Sequence, residues 1–439
     1  MDHSNVSLIT SQWVLTLEHD ALLTNHTVII DADRIIDVLP TADAIKQFPD
    51  ITPIELGRQL LMPGLINCHG HAAMNLFKGM ADDLPLMTWL EKHIWPAEGQ
   101  WVSPEFVADG TKLAIAEMLK SGTTCFSDMY FFPEESANVA AEIGMRATCY
   151  GPILDFPTPY GSGPDEYVEK ILKANDQFKH QPLVDIGFGP HAPYTVSDEP
   201  LKNIRTLADQ LNIPIQIHLH ETEFEVMDAI EKTGKRPTQR LFDLGLLGPD
   251  VQAVHVTQVN ESDITLFKES NTAIIHCPES NLKLASGFCP VHKLQQAGIN
   301  VALGTDGAAS NNDLDMIGEM RTAALIAKAV AQDASALPAL EAVKMATING
   351  AKAMGKEHEI GSIKAGKQAD LISIDFNDIA SNPVYDPISH LVYTATRNQV
   401  DHVWVAGKLQ VKDKQLCHLN EAQLIELAQS WADKIQQAN

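Results

Sequence analysis

The chain has 439 residues, of which 45% are hydrophobic and 20% charged, a composition typical of a globular protein with a large core. Its 57 Asp and Glu against 32 Lys and Arg give a formal net charge of −25, which disfavours nucleic acid and anionic lipid as partners. No apolar run reaches the ~18 residues of a membrane span, and residues 1–5 lack the basic and apolar parts of a signal peptide, so we expect a cytoplasmic protein.

Short apolar runs alternate with longer helical patterns between residue 61 and about residue 355. The eight apolar runs lie at 61–68, 123–130, 146–154, 184–189, 213–219, 251–256, 272–276 and 300–304. Such alternation predicts parallel strands joined by helical crossovers, and eight units over ~290 residues predict a closed (β/α)₈ barrel of the TIM type. An open doubly wound sheet is the alternative, but the glycine-rich fingerprint that often follows its first strand is missing.

The two ends of the chain differ from this middle part. Residues 1–60 and 356–439 contain short apolar runs and turns, such as Val28-Ile29-Ile30 and 370–374, that are typical of β-strands. We therefore predict an α/β protein in which both ends form one small β-sandwich-like domain and residues 61–355 form the barrel. A helical pattern at 421–437 is expected to close the small domain.

Polar residues follow four of the predicted barrel strands, at the end where barrel active sites lie. They are His69 and His71 after the first strand, His218 and His220 on the fifth, His255 after the sixth and Asp306 after the eighth. Because side chains alternate along a strand, we expect all of them to face the barrel mouth. Imidazole nitrogens and one carboxylate suit Zn²⁺ or Fe²⁺ with a coordination position left for water. A single His-x-His pair is equally typical of packed core histidines, but four strand ends in barrel order favour a catalytic metal site.

The segments PGLINCHGH, IHLHET, HCPESN and LGTDGAASNN resemble motifs of the amidohydrolase superfamily, in particular of its 5′-methylthioadenosine/S-adenosylhomocysteine deaminase family. The likeness covers nearly the whole chain and includes GSIKAGKQADLISID near the C-terminus. It implies that the metal ligands are His69, His71, His218 and Asp306. It also implies that Glu221 moves a proton, that His255 steers the nucleophile and that His220 is a neighbour of the metal site without being a ligand.

The number of metal ions follows from the end of the fourth predicted strand. Binuclear relatives carry a carboxylated lysine there, whereas this chain reads Gly187-Phe188-Gly189-Pro190-His191. We therefore predict one Zn²⁺ per chain, with Fe²⁺ or another divalent metal as the alternative. His191 is then a candidate substrate contact, or else a histidine packed under the neighbouring prolines.

The implied reaction is hydrolytic deamination of an aminated purine. Glu221 would protonate a ring nitrogen, Asp306 would take a proton from water, and the 6-amino group would leave as ammonia. Ser280, Asn281 and His276 are expected to support these groups without a chemical step of their own.

Residues 72–100 are too long for an ordinary loop between a strand and its helix, so we predict a flap over the pocket. Its apolar residues, Trp89 and Met87 among them, suit a flat base and a thioether, although packing on the barrel rim explains them equally well. Glu98 matches the ribose-binding carboxylate of the family. As substrate we therefore expect a small purine nucleoside.

The most specific of these predictions concerns the 5′ substituent of that nucleoside. Residues 151–163 contain no Arg or Lys, whereas relatives that accept S-adenosylhomocysteine well are expected to carry arginines there. We predict that 5′-methylthioadenosine is the best substrate, with adenosine and S-adenosylhomocysteine used less well. Another heterocycle such as guanine or a triazine, and a non-catalytic scaffold, remain as alternatives, and a homo-oligomer is possible.

Overall fold

The structure is a computed structural model that describes residues 5–18 and 22–438; residues 1–4, part of the segment considered for a signal peptide, lie outside the described residues. Five strands precede the barrel: β1 (Val6–Leu15), β2 (Leu22–Asp31), β3 (Arg34–Pro40), β4 (Ile54–Glu55) and β5 (Gln59–Pro63). Eight strands form it: β6 (Leu65–Asn67), β7 (Thr123–Met129), β8 (Arg146–Ile153), β9 (Val184–Pro190), β10 (Ile215–Leu219), β11 (Val251–His255), β12 (Ala273–His276) and β13 (Val301–Leu303). Four follow it: β14 (Leu371–Asp375), β15 (Val400–Val405), β16 (Lys408–Lys412) and β17 (Gln415–Leu416).

The eight strands β6 to β13 pair in chain order as one parallel sheet. Its first and last strands meet through single backbone hydrogen bonds, from Cys68 N to Leu303 O at 2.9 Å and from Asp306 N to His69 O at 3.0 Å. Nearly every residue of these strands is buried, because helices cover the outside and side chains fill the inside. The predicted TIM-type barrel is confirmed.

Seventeen α-helices lie within the described residues. Those up to β9 are α1 (Thr41–Gln47), α2 (Leu86–Trp89), α3 (Trp95–Trp101), α4 (Pro104–Lys120), α5 (Pro133–Ile143) and α6 (Pro164–Phe178). Those from β9 to β13 are α7 (Asp198–Leu211), α8 (Glu223–Thr233), α9 (Pro237–Asp243), α10 (Glu261–Ser270), α11 (Pro278–Lys283) and α12 (Val291–Gln296). The last are α13 (Met316–Ala331), α14 (Ala339–Met345), α15 (Ile348–Ala353), α16 (Pro387–Tyr393) and α17 (Glu421–Ala438).

The first apolar run, predicted as one strand at 61–68, is in fact divided between two sheets. Its beginning belongs to β5 in the small domain, and β6 starts after Gly64. A Cβ atom at Gly64 would lie 2.1 Å from Thr124 Oγ1, so only glycine fits where the chain passes from one sheet to the other.

Both chain ends join in one sheet, as predicted. Eight strands follow the order β17-β16-β15-β14-β5-β1-β2-β3, and β4 pairs with β1 as the ninth. Strand β14 from the C-terminal part runs antiparallel to β5 from the N-terminal part. A buried ion pair from Arg146 on β8 to Asp370, 2.9 Å long, ties this sheet to the barrel.

The C-terminal helix α17 was expected to close the small domain, but it packs mainly on barrel helix α4. The ring of Trp431 lies 5.3 Å from that of Phe106, and Trp431 Nε1 donates to Asp109 Oδ2 at 2.9 Å. These contacts of Trp431 hold α17 against α4. Of the helices within the described residues, none has the length and apolar character needed to span a membrane.

Candidate active site

A cavity of 1120 Å³, counted with its open mouth, lies at the carboxyl ends of the barrel strands. Eight side chains singled out in the sequence line it: His71, Trp89, Glu98, His191, His218, Glu221, His255 and Asp306. His69 is fully buried beside them, in contact with Asp306 and His218. Folding thus brings together residues that are up to 237 positions apart in the chain, from His69 to Asp306.

Two groups of possible metal ligands share His69: one adds His71 and Asp306, the other adds His218 and His255, and the ligand atoms of each group lie within 4.8 Å of one another. His71 Nε2 lies 3.2 Å and His69 Nε2 lies 3.5 Å from Asp306 Oδ1. His218 Nε2 lies 3.2 Å from His69 Nε2. Ligand atoms bound to one zinc ion at 2.0–2.1 Å are about 3.3 Å from one another in a tetrahedral site, so each of these three distances is that of neighbouring zinc ligands.

The opposite ring nitrogens of these histidines are all held by oxygen acceptors. His71 Nδ1 lies 2.6 Å from Met129 O, His218 Nδ1 lies 2.7 Å from His191 O, and His69 Nδ1 lies 2.7 Å from Gln216 Oε1. A carbonyl oxygen can only accept, so each Nδ1 carries the hydrogen when the ring is neutral. The Nε2 lone pairs of His69 and His218 then face each other at 3.2 Å, an arrangement that a cation between them would stabilise.

The charge states of the clustered side chains also favour a bound cation. Burial lowers the pKa of His69 and of His218, which keeps both rings neutral and able to ligate. Burial opposes the protonation of His71 as well, but the Asp306 carboxylate outweighs it and raises the pKa of His71 to about 9. Positive charge is therefore favoured beside Asp306, and a divalent metal ion would supply it.

Asp306 is held in place by hydroxyl groups. Ser280 Oγ and Ser310 Oγ donate to its Oδ2 at 2.6 and 3.0 Å, which leaves Oδ1 directed at the histidines. Although burial raises the pKa of Asp306, hydrogen bonds from His69 and His71 hold that pKa well below its ordinary value. The carboxylate is thus ionised at neutral pH.

Strand alternation alone does not bring His255 into the cavity, contrary to the prediction. In the β10–β11 register Val254 pairs with His218, so Val254 is the residue that shares the inward face. His255 turns into the cavity because its φ is 75°, and Asp306 has φ 65°. Non-glycine residues adopt this left-handed conformation rarely, and such strain is concentrated at functional sites.

Glu221 and His255 face each other above the metal-ligand cluster. Glu221 Oε2 lies 3.8 Å from His255 Nε2, and His255 Nδ1 lies 2.9 Å from Asn281 Oδ1. Burial, with the nearby Asp306 charge, raises the pKa of Glu221 to about 8, so this carboxyl carries a proton at neutral pH. Burial lowers the pKa of His255, whose Nε2 is therefore a lone-pair acceptor facing the cavity.

His220 lies next to the cluster with both ring nitrogens engaged elsewhere. Its Nδ1 donates to Gln258 O at 2.8 Å, and its Nε2 accepts from Thr238 Oγ1 at 2.9 Å. No nitrogen of this ring is left for a metal. Of the three supporting residues expected from the sequence, Ser280 and Asn281 make the contacts described above, while His276 is buried beside His255.

Two supporting residues were missed in the sequence. Gln216 receives the His69 hydrogen and donates from Nε2 to Cys68 O at 2.9 Å and to Gln252 Oε1 at 2.6 Å, which fixes the orientation of its amide. The alternation that turned His218 inward predicts the same face for Gln216. Glu225 accepts from two backbone N–H groups next to Glu221, a contact with no signal in the strand pattern.

The flap forms one wall of the cavity. Besides α2 and α3 it contains a 3-10 turn, Ala72–Phe77, and a π-helical turn, Leu90–Ile94. Trp89 and Glu98 line the cavity from this flap. Burial raises the pKa of Glu98 to about 7, although the neighbouring Tyr130 hydroxyl acts to lower it.

The loop after β8 forms the facing wall with Phe156, Pro157 and Pro159, and no Lys or Arg lines the cavity within the described residues. The arginines that could have reached the cavity from other loops are bound elsewhere. Arg205 pairs with Asp250, Arg236 with Asp263, and Arg321 with backbone carbonyls near α16.

Gln216→Met is expected to weaken metal binding about 10–100-fold, because His69 loses the acceptor that orients its ring. The measurement is a chelator competition that compares the metal dissociation constants of variant and wild type. Gln239→Met, which removes a half-buried amide that donates to Asp243, serves as the control. Equal dissociation constants for Gln216→Met and wild type would show that the hydrogen bond to His69 does not support the metal site.

Comparison with known proteins gives consistent results. The sequence profile of the amidohydrolase family matches residues 60–410. The chain is 55% identical over 430 residues to the 5-methylthioadenosine/S-adenosylhomocysteine deaminase of Saccharophagus degradans, covering 98% of this chain and 96% of that protein. It is 41% identical over 415 residues to the 5′-deoxyadenosine deaminase of Methanopyrus kandleri, covering 93% and 94%. The zinc-bound crystal structure of an adenosine deaminase from Xanthomonas campestris superposes with a TM-score of 0.95 at 47% identity over 98% of both chains. The chain therefore belongs to the amidohydrolase family, as the resemblance of its motifs predicted.

Proposed function

We propose that the protein is a zinc-dependent hydrolase that converts the 6-amino group of 5′-methylthioadenosine into a 6-oxo group and releases ammonia. The observation that carries this proposal is the convergence of His69, His71, His218 and Asp306 beneath a cavity in which Glu221 and His255 face each other. Relatives at 42–55% identity with deaminase names support the reaction class.

The metal proposed for this site is one Zn²⁺ per chain, held by those three imidazoles and one carboxylate. When bound, it would lower the pKa of a water molecule toward about 7 and so supply a nucleophile at neutral pH. No lysine lines the cavity within the described residues, which argues against a second, lysine-bridged metal.

The remaining steps belong to side chains of the chain. Glu221 is protonated at neutral pH and transfers its proton to a purine ring nitrogen, which makes the adjacent C6 electrophilic. Ionised Asp306 accepts the proton of the attacking water, and His255 Nε2 orients that water because Asn281 holds the opposite nitrogen. The same acid–base groups protonate the amine as it leaves.

The substrate preference follows from the cavity walls. A homocysteine tail has a carboxylate that needs a cationic partner when it leaves water, and the described cavity wall has none. Apolar side chains from the flap and from the loop after β8 suit a methylthio group instead. We propose 5′-methylthioadenosine first, adenosine second and S-adenosylhomocysteine last in kcat/KM.

All six cysteines are free thiols, which supports a cytoplasmic location.

Ammonia release from a substrate panel tests this proposal. The panel contains 5′-methylthioadenosine, adenosine, S-adenosylhomocysteine, guanine and a chlorotriazine, each assayed with zinc-loaded protein. We expect the highest kcat/KM on 5′-methylthioadenosine and no measurable release from guanine or the triazine. A preference for S-adenosylhomocysteine would overturn the substrate order, and inactivity on every adenosine-type nucleoside would overturn the reaction class.

Glu98→Ala is expected to raise KM for nucleosides, because the variant loses the carboxylate that accepts the ribose hydroxyls. Any weak activity on free adenine should stay nearly unchanged, since a ribose contact has no effect when ribose is missing. Steady-state kinetics on 5′-methylthioadenosine and adenine measure both effects. A similar loss on the two substrates would mean that Glu98 acts in folding or in the chemical step.

A further inference from the structure

Glu225 is a buried carboxyl group outside the reacting groups, and burial raises its pKa to about 8. Its Oε1 accepts from the backbone N–H of His220 at 2.9 Å, and its Oε2 accepts from that of Glu221 at 2.8 Å. From the other side, Thr257 Oγ1 donates to Glu221 O at 2.8 Å. The backbone of Glu221 is therefore held on both sides of the residue.

The local sequence explains this contact. Thr222 caps α8, and Glu225 is the third residue of that helix, the position whose carboxylate normally bonds the N–H of the cap. Here it reaches one and two residues further back. His220 has φ 54°, a left-handed conformation that a non-glycine residue keeps only when surrounding contacts hold it.

The side chain of Glu221 depends on this backbone support. Its Oε2 lies 3.8 Å from His255 Nε2, which is beyond hydrogen-bond length. A proton donor must lie within hydrogen-bond reach of the atom it protonates, so a small shift of the 220–221 backbone displaces the proton donor from the ring nitrogen.

Glu225 also borders a second cleft, which lies on the far side of Tyr194 from the substrate cavity. This cleft has 1170 Å³ of space open to solvent, and its wall includes Asp228, Lys232 and Arg240. If the Glu225 side chain is shortened, a small carboxylate from solution can reach the two vacated N–H groups from this side.

We propose that Glu225 is a positioning residue that holds the proton donor Glu221 against the substrate through the backbone of residues 220–221. This rests on the proposed function, because it assigns Glu221 the proton transfer. Glu225 itself does not touch the substrate: it lines the second cleft and not the substrate cavity.

The first test compares Glu225→Gln with wild type on 5′-methylthioadenosine. The amide keeps the shape but turns an N–H₂ donor toward one of the two backbone donors, so one contact becomes repulsive. We expect kcat to fall about 10–100-fold, as when other supports of reacting groups are removed, with KM and metal content nearly unchanged. Asp228→Asn is the matched control and should keep its kcat, because Asp228 lies on the same cleft wall and forms an ion pair with Lys232.

The second test is chemical rescue of Glu225→Ala with formate. Formate is expected to restore part of kcat in this variant, because it can accept from both free N–H groups. It should have no effect on Glu225→Gln, where the side chain still fills the space, or on wild type. A role in stability alone predicts no rescue.

Unchanged kcat in Glu225→Gln, or a parallel loss of metal, would overturn the proposal; so would a soluble Glu225→Ala that formate does not rescue. If Glu225→Ala does not fold, the kcat-against-KM result of Glu225→Gln decides. If wild type releases no ammonia from any nucleoside, the proposed function fails by itself. Crystal structures of wild type and Glu225→Gln then test the positioning: a displaced Glu221 backbone supports it and an unmoved one refutes it.

Discussion

Glu221→Gln is expected to lower kcat about 10²–10⁴-fold, the range that general acid–base groups contribute, while metal content stays at the wild-type level. The amide has nearly the shape of the carboxyl but cannot give up and regain a proton. The raised pKa of Glu221, about 8 through burial and the Asp306 charge, is what keeps the wild-type group protonated at neutral pH. Stopped-time ammonia assays give kcat, and elemental analysis of the same samples gives the metal content.

A binding measurement separates this effect from a damaged pocket. Glu221→Gln should still bind 5′-methylthioadenosine, since the cavity walls are unchanged and only the proton transfer is removed. Titration calorimetry on the inactive variant measures that affinity directly. A kcat loss smaller than tenfold would remove Glu221 from the mechanism, and a loss of binding as large as the loss of kcat would make it a substrate contact only.

His69→Ala is expected to lose metal and turnover together. His69 Nε2 lies within 3.5 Å of both Asp306 Oδ1 and His218 Nε2, so its removal takes away the central ligand of the cluster. Both groups of ligand atoms that could hold the ion contain His69, so the three ligands that remain no longer form either group. Metal content after dialysis and kcat after reconstitution with zinc measure the two losses.

His220→Ala is the matched control, because it removes a buried histidine of the same neighbourhood whose ring nitrogens are bound to Gln258 and Thr238. It should keep most of the metal, although it loses stability. Thermal unfolding of both variants separates stability from ligation. Full metal content in His69→Ala, or the same metal loss in both variants, would contradict the assigned ligand set.

The order of strands and helices was readable from the sequence because it depends on local periodicity. Few architectures bury both faces of eight apolar strands that alternate with helices. The closed barrel is one of them, and the structure adopts it. The likeness of its sequence motifs to the amidohydrolase superfamily predicted the family that the comparisons show. These features are repeated along the chain, so an error in one run, as at residues 61–68, does not change the architecture.

The residue types of the site were also readable, but the reasons for their positions were not. Alternation along β10 turns His218 inward. The same alternation predicts an inward side chain for Gln216, which lies two residues earlier. Alternation along β11 favours Val254, and His255 reaches the cavity only through its positive φ. A backbone conformation beyond a strand end is set by what surrounds it, which no local pattern records.

Tertiary structure alone decided the contacts between distant segments. His69 is bonded to Gln216, 147 positions away, and Asp306 is bonded to Ser280, 26 positions away. In the same way the last helix packs on barrel helix α4, where Trp431 bonds Asp109. By itself the sequence determined which chemical groups the strands deliver to one end of the barrel, because strand periodicity and residue type are local properties. Their proton positions, charges and exact partners were decided by folding, because hydrogen bonds across more than a hundred residues and burial in a shared cavity exist only once the strands have closed.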